Sequence, residues 1–96
     1  MSGSEEILSF LRQNKQEIGE RFSVKQIGLF GSVLHGSGTQ ISDLDILVEL
    51  IHPTFDNYME LKFFLEDHLG RTVDLVLADS LKPRLKSIIA REVAYV

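Results

Sequence analysis

The sequence predicts an α/β domain spanning residues 1–96, a small β-sheet with helices packed on it, and three observations carry that expectation. Short apolar runs at 27–30, 44–50 and 72–77 are bounded by turn residues and read as strands. Stretches with apolar residues at helical spacing alternate with them, giving the order helix, strand, short helix, strand, helix, strand, helix. A chain of 96 residues, 44% of them hydrophobic, can build one core and has no room for a second substrate-binding lobe.

Ser4 is placed to cap a first helix that carries Ile7, Leu8, Leu11 and Ile18 along one side and ends near Gly19. Phe22 to Gln26 leads into the first strand, Ile27 to Phe30, which stops at Gly31. Ser32 is a good N-cap, so a short helix is expected to start there. Its free backbone N–H groups and the positive end of its dipole make an anion site, with phosphate the obvious candidate. Gly36 and Gly38 end that helix within about two turns and let backbone pass close to a ligand.

The second strand, Leu44 to Leu50, places Asp43 and Asp45 on one face, because residues two apart in a strand point the same way. No basic residue lies between Ser32 and Glu49. Two ionised carboxylates side by side make sense when a divalent cation sits between them, and hard oxygen ligands favour magnesium or manganese. Gly-Ser and Asp-x-Asp are each common by chance. Their combined spacing sets a phosphate cradle beside a metal site.

Residues 49–56 contain His52-Pro53 and form a loop. Asn57 and Glu60 have capping-box spacing, and Tyr58, Leu61, Phe64, Leu65 and Leu69 follow at helical intervals up to Gly70. These aromatics read as core, with Lys62, Glu66 and Asp67 on the wet face. Thr72 to Leu77 is a third strand whose single charge is Asp74. An edge position or a salt bridge with Arg71 would account for a lone aspartate there, and a metal would too.

Ser80 is expected to cap a last helix, with Pro83 in its first turn and Leu81, Leu85, Ile88 and Ile89 on one face. Lys82, Arg84, Lys86 and Arg91 make it locally basic, a solvated face or a surface that meets phosphates or an acidic partner. Val93 to Val96 can add a short terminal strand. His35 falls in the Gly-rich turn and reads as a turn cap, while His52 and His68 read as surface residues.

The formal charge of −4 is the opposite of the basic footprint of a nucleic-acid enzyme, so no direct nucleic-acid substrate is expected. There is no cysteine, which excludes disulfides, zinc-thiolate sites and a cysteine nucleophile and fits a cytoplasmic protein. No apolar run approaches the roughly 20 residues that span a bilayer, and no secretion signal opens the chain. The expectation is a soluble protein.

Gly31-Ser32, Gly36 and Ser42-Asp43-Leu44-Asp45 resemble the signature of the DNA polymerase β-like nucleotidyltransferase superfamily. The short chain is similar to the minimal nucleotidyltransferase (MNT) domains, small proteins paired with a HEPN-domain partner in toxin–antitoxin modules. Val73 to Val76 falls where that family carries its third carboxylate, here Asp74. The resemblance implies a mixed sheet in which the strands of Asp43/Asp45 and of Asp74 are neighbours and three carboxylates converge at one edge.

It further implies two-metal phosphoryl chemistry, with Asp43 and Asp45 bridging two Mg²⁺ (or Mn²⁺) ions about 3.5–4 Å apart and Asp74 binding the ion that activates the acceptor hydroxyl. Asp74 is then the general base or its local support. Gly31, Ser32 and Gly36 would cradle the triphosphate of ATP. AMP would pass to a tyrosine hydroxyl of the cognate HEPN ribonuclease toxin, and the antitoxin would form a hetero-oligomer with it. The competing reading is a non-catalytic antitoxin that covers its partner. Transfer to an antibiotic or other small molecule would need a C-terminal substrate domain that this length does not provide.

Overall fold

The computed structural model describes residues 3–31 and 43–96. Ser32, Gly36 and the short helix expected after Ser32 lie outside the described residues, as do His35, Gly38 and Ser42. Two helices open the fold, α1 (Ser4–Gln13) and α2 (Lys15–Phe22), where the apolar spacing alone predicts one. Asn14 makes the break. Its backbone N–H and its side-chain amide both donate to the Phe10 carbonyl, at 3.1 and 2.8 Å, and its own carbonyl accepts from the Ile18 N–H at 2.8 Å. The break lies in its backbone angles, φ −106° and ψ 9°, while the i to i−4 bonds on both sides of it persist. Gly3, not Ser4, holds the N-cap position of α1.

α2 ends at Ser23 in the left-handed region, with φ 62°. The Ser23 carbonyl accepts from the Ile51 N–H at 2.7 Å and its hydroxyl from the His52 N–H at 3.1 Å, so the turn is fixed across the molecule. Strand β1 (Val24–Phe30) therefore begins three residues before the apolar run does. Strands β2 (Leu44–Leu50), β3 (Val73–Leu77) and β4 (Ala94–Tyr95) complete a sheet of order β3-β2-β1-β4. β1 is antiparallel to β2 and β4, and β2 is parallel to β3, so the sheet is mixed, as expected.

One face of this sheet is the core. Leu44, Ile46, Val48 and Leu50 of β2 alternate inward beside Ile27 and Leu29 of β1 and Val73 and Leu75 of β3. Onto them pack Ile7 and Leu11 of α1, Ile18 and Phe22 of α2, and Leu61 and Leu65 of helix α3 (Phe55–Leu69). No polar side chain is buried among the described residues. Thr54 caps α3, its hydroxyl accepting from the Asn57 N–H at 3.1 Å. The expected cap, Asn57, instead donates its side-chain amide to the His52 carbonyl at 2.9 Å. Gly70 ends α3 in the left-handed conformation, as its position predicts.

After β3 comes a single 3-10 turn, Ala78–Ser80, then α4 (Pro83–Glu92). Lys82 occupies the N-cap position of α4, and the Ser80 hydroxyl donates to the Leu77 carbonyl at 2.8 Å rather than capping the helix. No residue of α4 is buried; Leu85 and Ile88, on the apolar face that the spacing predicts, are 49% and 47% exposed. Among the described residues no helix is long and apolar enough to cross a membrane.

Leu65 has no exposed surface while Leu85 keeps about half of its own. Leu65→Ala should therefore cost about 2–5 kcal/mol, transfer and cavity terms together, and Leu85→Ala less than about 1 kcal/mol. Urea unfolding of the two variants beside wild type measures the difference.

Candidate active site

The site is built by strand register. β1 ends, and β2 and β3 begin, at the same end of the sheet; Phe30 lies opposite Asp45 in the antiparallel pair, and Asp45 lies opposite Asp74 in the parallel pair. Both aspartates point away from the core, since Leu44 and Ile46 flank Asp45 and Val73 and Leu75 flank Asp74 on the buried face. Asp74 is exposed on an outer strand, the innocuous setting for a lone strand carboxylate. Asp45 is half-buried between β1 and β3.

Asp45 carries the electrostatic consequence. Its carboxyl is held above the ordinary value of 3.8, first by burial, then by the negative charge of Asp74, then by that of Asp43, and last by a side-chain hydrogen bond with Asp74. Every one of these influences disfavours the ionised form. Asp43 stands just before β2 and is exposed. Among the described residues no three carboxylate or imidazole groups close into a ready-made cation site. Asp45 and Asp74 touch through a side-chain hydrogen bond, and Asp43, exposed just before β2, acts on Asp45 through its charge.

Gly31 closes the pair from the β1 side. It has φ +84°, and a Cβ at this position would lie 2.8 Å from the Asp45 Cγ and nearer still to Oδ2. Only glycine lets the chain turn here with the carboxylate pressed against its backbone. The donor set fits a hard divalent cation: two adjacent carboxylates, one of them partly desolvated and already resisting ionisation, gain from a positive charge what they lose to each other.

A surface groove of about 800 Å³, lined by Arg21, Phe22, Glu60, Phe63, Phe64 and His68 among others, includes none of these carboxylates. Glu60, Glu66 and Asp67 give its wall three carboxylates against the single guanidinium of Arg21. His68, exposed as expected, stacks on the Phe64 ring with centroids 4.3 Å apart.

Two residues escape the sequence reading. Tyr58, assigned to the core, donates its hydroxyl to the Leu75 carbonyl at 2.5 Å, and Glu66, assigned to the wet face, accepts from the Val73 N–H at 2.9 Å. Their spacing of eight residues puts them two turns apart on one helix flank, a signal that becomes legible only once β3 is known to be an outer strand.

Comparison with known proteins bears on this geometry. A family model described as nucleotidyltransferase domain matches residues 11–96. The protein adenylyltransferase MntA of Thermococcus cleftensis is 45% identical over 93 residues, covering 96% of this chain and 94% of that protein. A solved structure assigned as a minimal nucleotidyltransferase superposes with a TM-score of 0.75 at 34% identity, covering 91% of this chain and 93% of its own. A crystal structure of the toxin–antitoxin pair MntA–HepT gives a TM-score of 0.58 at 25% identity, covering 96% of this chain and 67% of its own.

The raised Asp45 carboxyl fixes the sign of a pH effect. In chelator, the folded protein holds the Asp45 proton to higher pH than the unfolded chain does, so this contribution to stability is full below 3.8 and is lost as pH rises through the raised folded value. Wild type should lose stability relative to Asp45→Asn across that window and regain it on addition of Mg²⁺. Urea midpoints for both proteins from pH 3.8 to neutrality check this; parallel curves would refute it.

Proposed function

The chain belongs to the nucleotidyltransferase domain family, matched over residues 11–96, and from that premise we propose that it transfers AMP from ATP to a tyrosine hydroxyl of a HEPN-domain ribonuclease toxin and so silences it. The observation that carries this reading is the Asp45–Asp74 pair, set in register against the Gly31 backbone. The likeness to a protein adenylyltransferase and to an antitoxin solved with its toxin supports a protein acceptor. The acidic charge of −4 disfavours a nucleic-acid one. The working form is a cytoplasmic hetero-oligomer with the toxin.

Asp43, Asp45 and Asp74 would hold two Mg²⁺ ions, or Mn²⁺, and these would supply charge neutralisation at the phosphates and a lowered pKa for the acceptor hydroxyl. Gly31 and Ser32, with the backbone amides that follow and the small Gly36, hold the triphosphate. The tyrosine oxygen attacks the α-phosphorus of ATP, the bond from that phosphorus to the pyrophosphate oxygen breaks, and a phosphodiester to AMP forms as pyrophosphate leaves. The hydroxyl proton passes to Asp74 or to a water that Asp74 orients. Holding acceptor and phosphorus in line supplies most of the remaining rate enhancement.

Catalysis and docking should come apart. A specific interface buries on the order of 1,600 Å², far more than three carboxylates cover, so Asp45→Asn should bind the toxin and fail to modify it. Toxin ribonuclease activity is measured with wild type and ATP, with Asp45→Asn and ATP, and with wild type lacking ATP. Silencing is expected only in the first case, should persist after the antitoxin is removed, and should add one AMP mass per modified tyrosine. Equal silencing in all three would establish a non-catalytic antitoxin that works by coverage.

A further inference from the structure

β3 is the outer strand on its side of the sheet, so alternate backbone groups face away from β2. The pairing fixes which ones. Leu44 donates its N–H to the Thr72 carbonyl at 3.0 Å; residues 72, 74 and 76 therefore turn their polar groups toward β2, and residues 73, 75 and 77 turn theirs outward.

Three outward groups are met by side chains. The Val73 N–H donates to Glu66 Oε2 at 2.9 Å, Tyr58 Oη donates to the Leu75 carbonyl at 2.5 Å, and Ser80 Oγ donates to the Leu77 carbonyl at 2.8 Å. The first two bracket Asp74, one on each side. Both come from α3, which Leu61 and Leu65 anchor in the core with no exposed surface.

An outer strand does not need such caps, because water satisfies exposed backbone groups at little cost. What β3 does need is a fixed position: Asp45 and Asp74 stand opposite each other in the β2–β3 pair, and two like charges set there oppose the pairing. We infer that Tyr58 and Glu66 are positioning residues that clamp β3 to α3 on both sides of Asp74 and so keep its carboxylate opposite Asp45. This rests on the reading of Asp74 as a ligand and base of the transfer site. Ser80 makes the same kind of bond three residues downstream and provides the internal control.

The test titrates Mn²⁺ into the protein with a nonhydrolysable ATP analogue, following free Mn²⁺ by electron paramagnetic resonance, and measures AMP transfer to the toxin alongside. Tyr58→Phe and Glu66→Ala should each weaken Mn²⁺ binding about tenfold or more. They should lower kcat with KM for ATP held within about twofold. Glu66→Gln, whose amide oxygen still accepts from the Val73 N–H, should restore both, and Ser80→Ala should match wild type in both. The Glu66→Ala and Glu66→Gln pair keeps the test decisive if Tyr58→Phe melts early.

Wild-type Mn²⁺ affinity in Tyr58→Phe and Glu66→Ala, or an equal loss in Ser80→Ala, would overturn the inference. Asp74→Asn separates the two levels. If Asp74→Asn transfers AMP at the wild-type rate, the reading of Asp74 falls and the clamp with it. If Asp74→Asn is inactive while both clamp variants are unaffected, only the clamp falls.

Discussion

The parallel pairing of β2 with β3 is the constraint on which the rest depends, because it holds two like charges side by side. Repulsion between two ionised carboxylates in contact is of order 1–4 kcal/mol for effective dielectric constants between those of water and a protein surface. Against it stands the opposite face of the same strands. Leu44, Ile46, Val48, Val73 and Leu75 are nearly or wholly buried, and each contributes about 1.5–3 kcal/mol on burial. A slip of one residue would carry all of them to the wrong face. The hydrophobic term wins, the register holds, and Asp45 yields instead by keeping its proton to higher pH. A destabilised carboxyl pair maintained by a core that cannot move is a preorganised acceptor for positive charge.

Gly31 shows the same logic at backbone level. β1 must end beside Asp45, since Phe30 pairs with it, and the chain must then turn away. A left-handed φ of +84° makes the turn, and the missing Cβ leaves the space that the Asp45 carboxylate fills. The glycine assigned to the phosphate cradle thus has a second duty. It sets how closely β1 approaches the acidic pair.

How much was legible in the sequence follows from where each signal lay. β2 has the bounds its pattern predicts, because every second residue from Leu44 to Leu50 is buried and the aspartates mark its entry. β1 starts earlier than its apolar run, since Val24 to Gln26 belong to the strand through backbone pairing with β2, not through hydrophobicity. The first helix divides at Asn14 through a local change of backbone angle, which apolar spacing does not register. Thr54 rather than Asn57 caps α3; both are capping types, and the choice depends on where His52-Pro53 leaves the chain. Asp45 and Asp74 lie on the neighbouring strands that the resemblance implied, and Gly31 follows the end of β1. Glu66 did not look chemical, because a carboxylate on a helix flank acquires meaning only from the strand beside it.

The two edges of the sheet are finished by different means, and the difference tracks the chemistry. On the β1 side a second strand, β4, supplies backbone partners to Gly28 and Leu29, and Val96 donates to the Ile27 carbonyl at 3.1 Å. A strand there costs nothing in access, because the carboxylates lie on the other side of β1. On the β3 side no further strand follows among the described residues, and Asp74 is exposed. Side-chain caps from Glu66, Tyr58 and Ser80 satisfy that edge one group at a time and leave Asp74 itself exposed. An edge closed by backbone and an edge closed by side chains are equivalent as protection against aggregation. Only the second leaves β3 without a strand on its outer side while tying it to α3 at Val73 and Leu75.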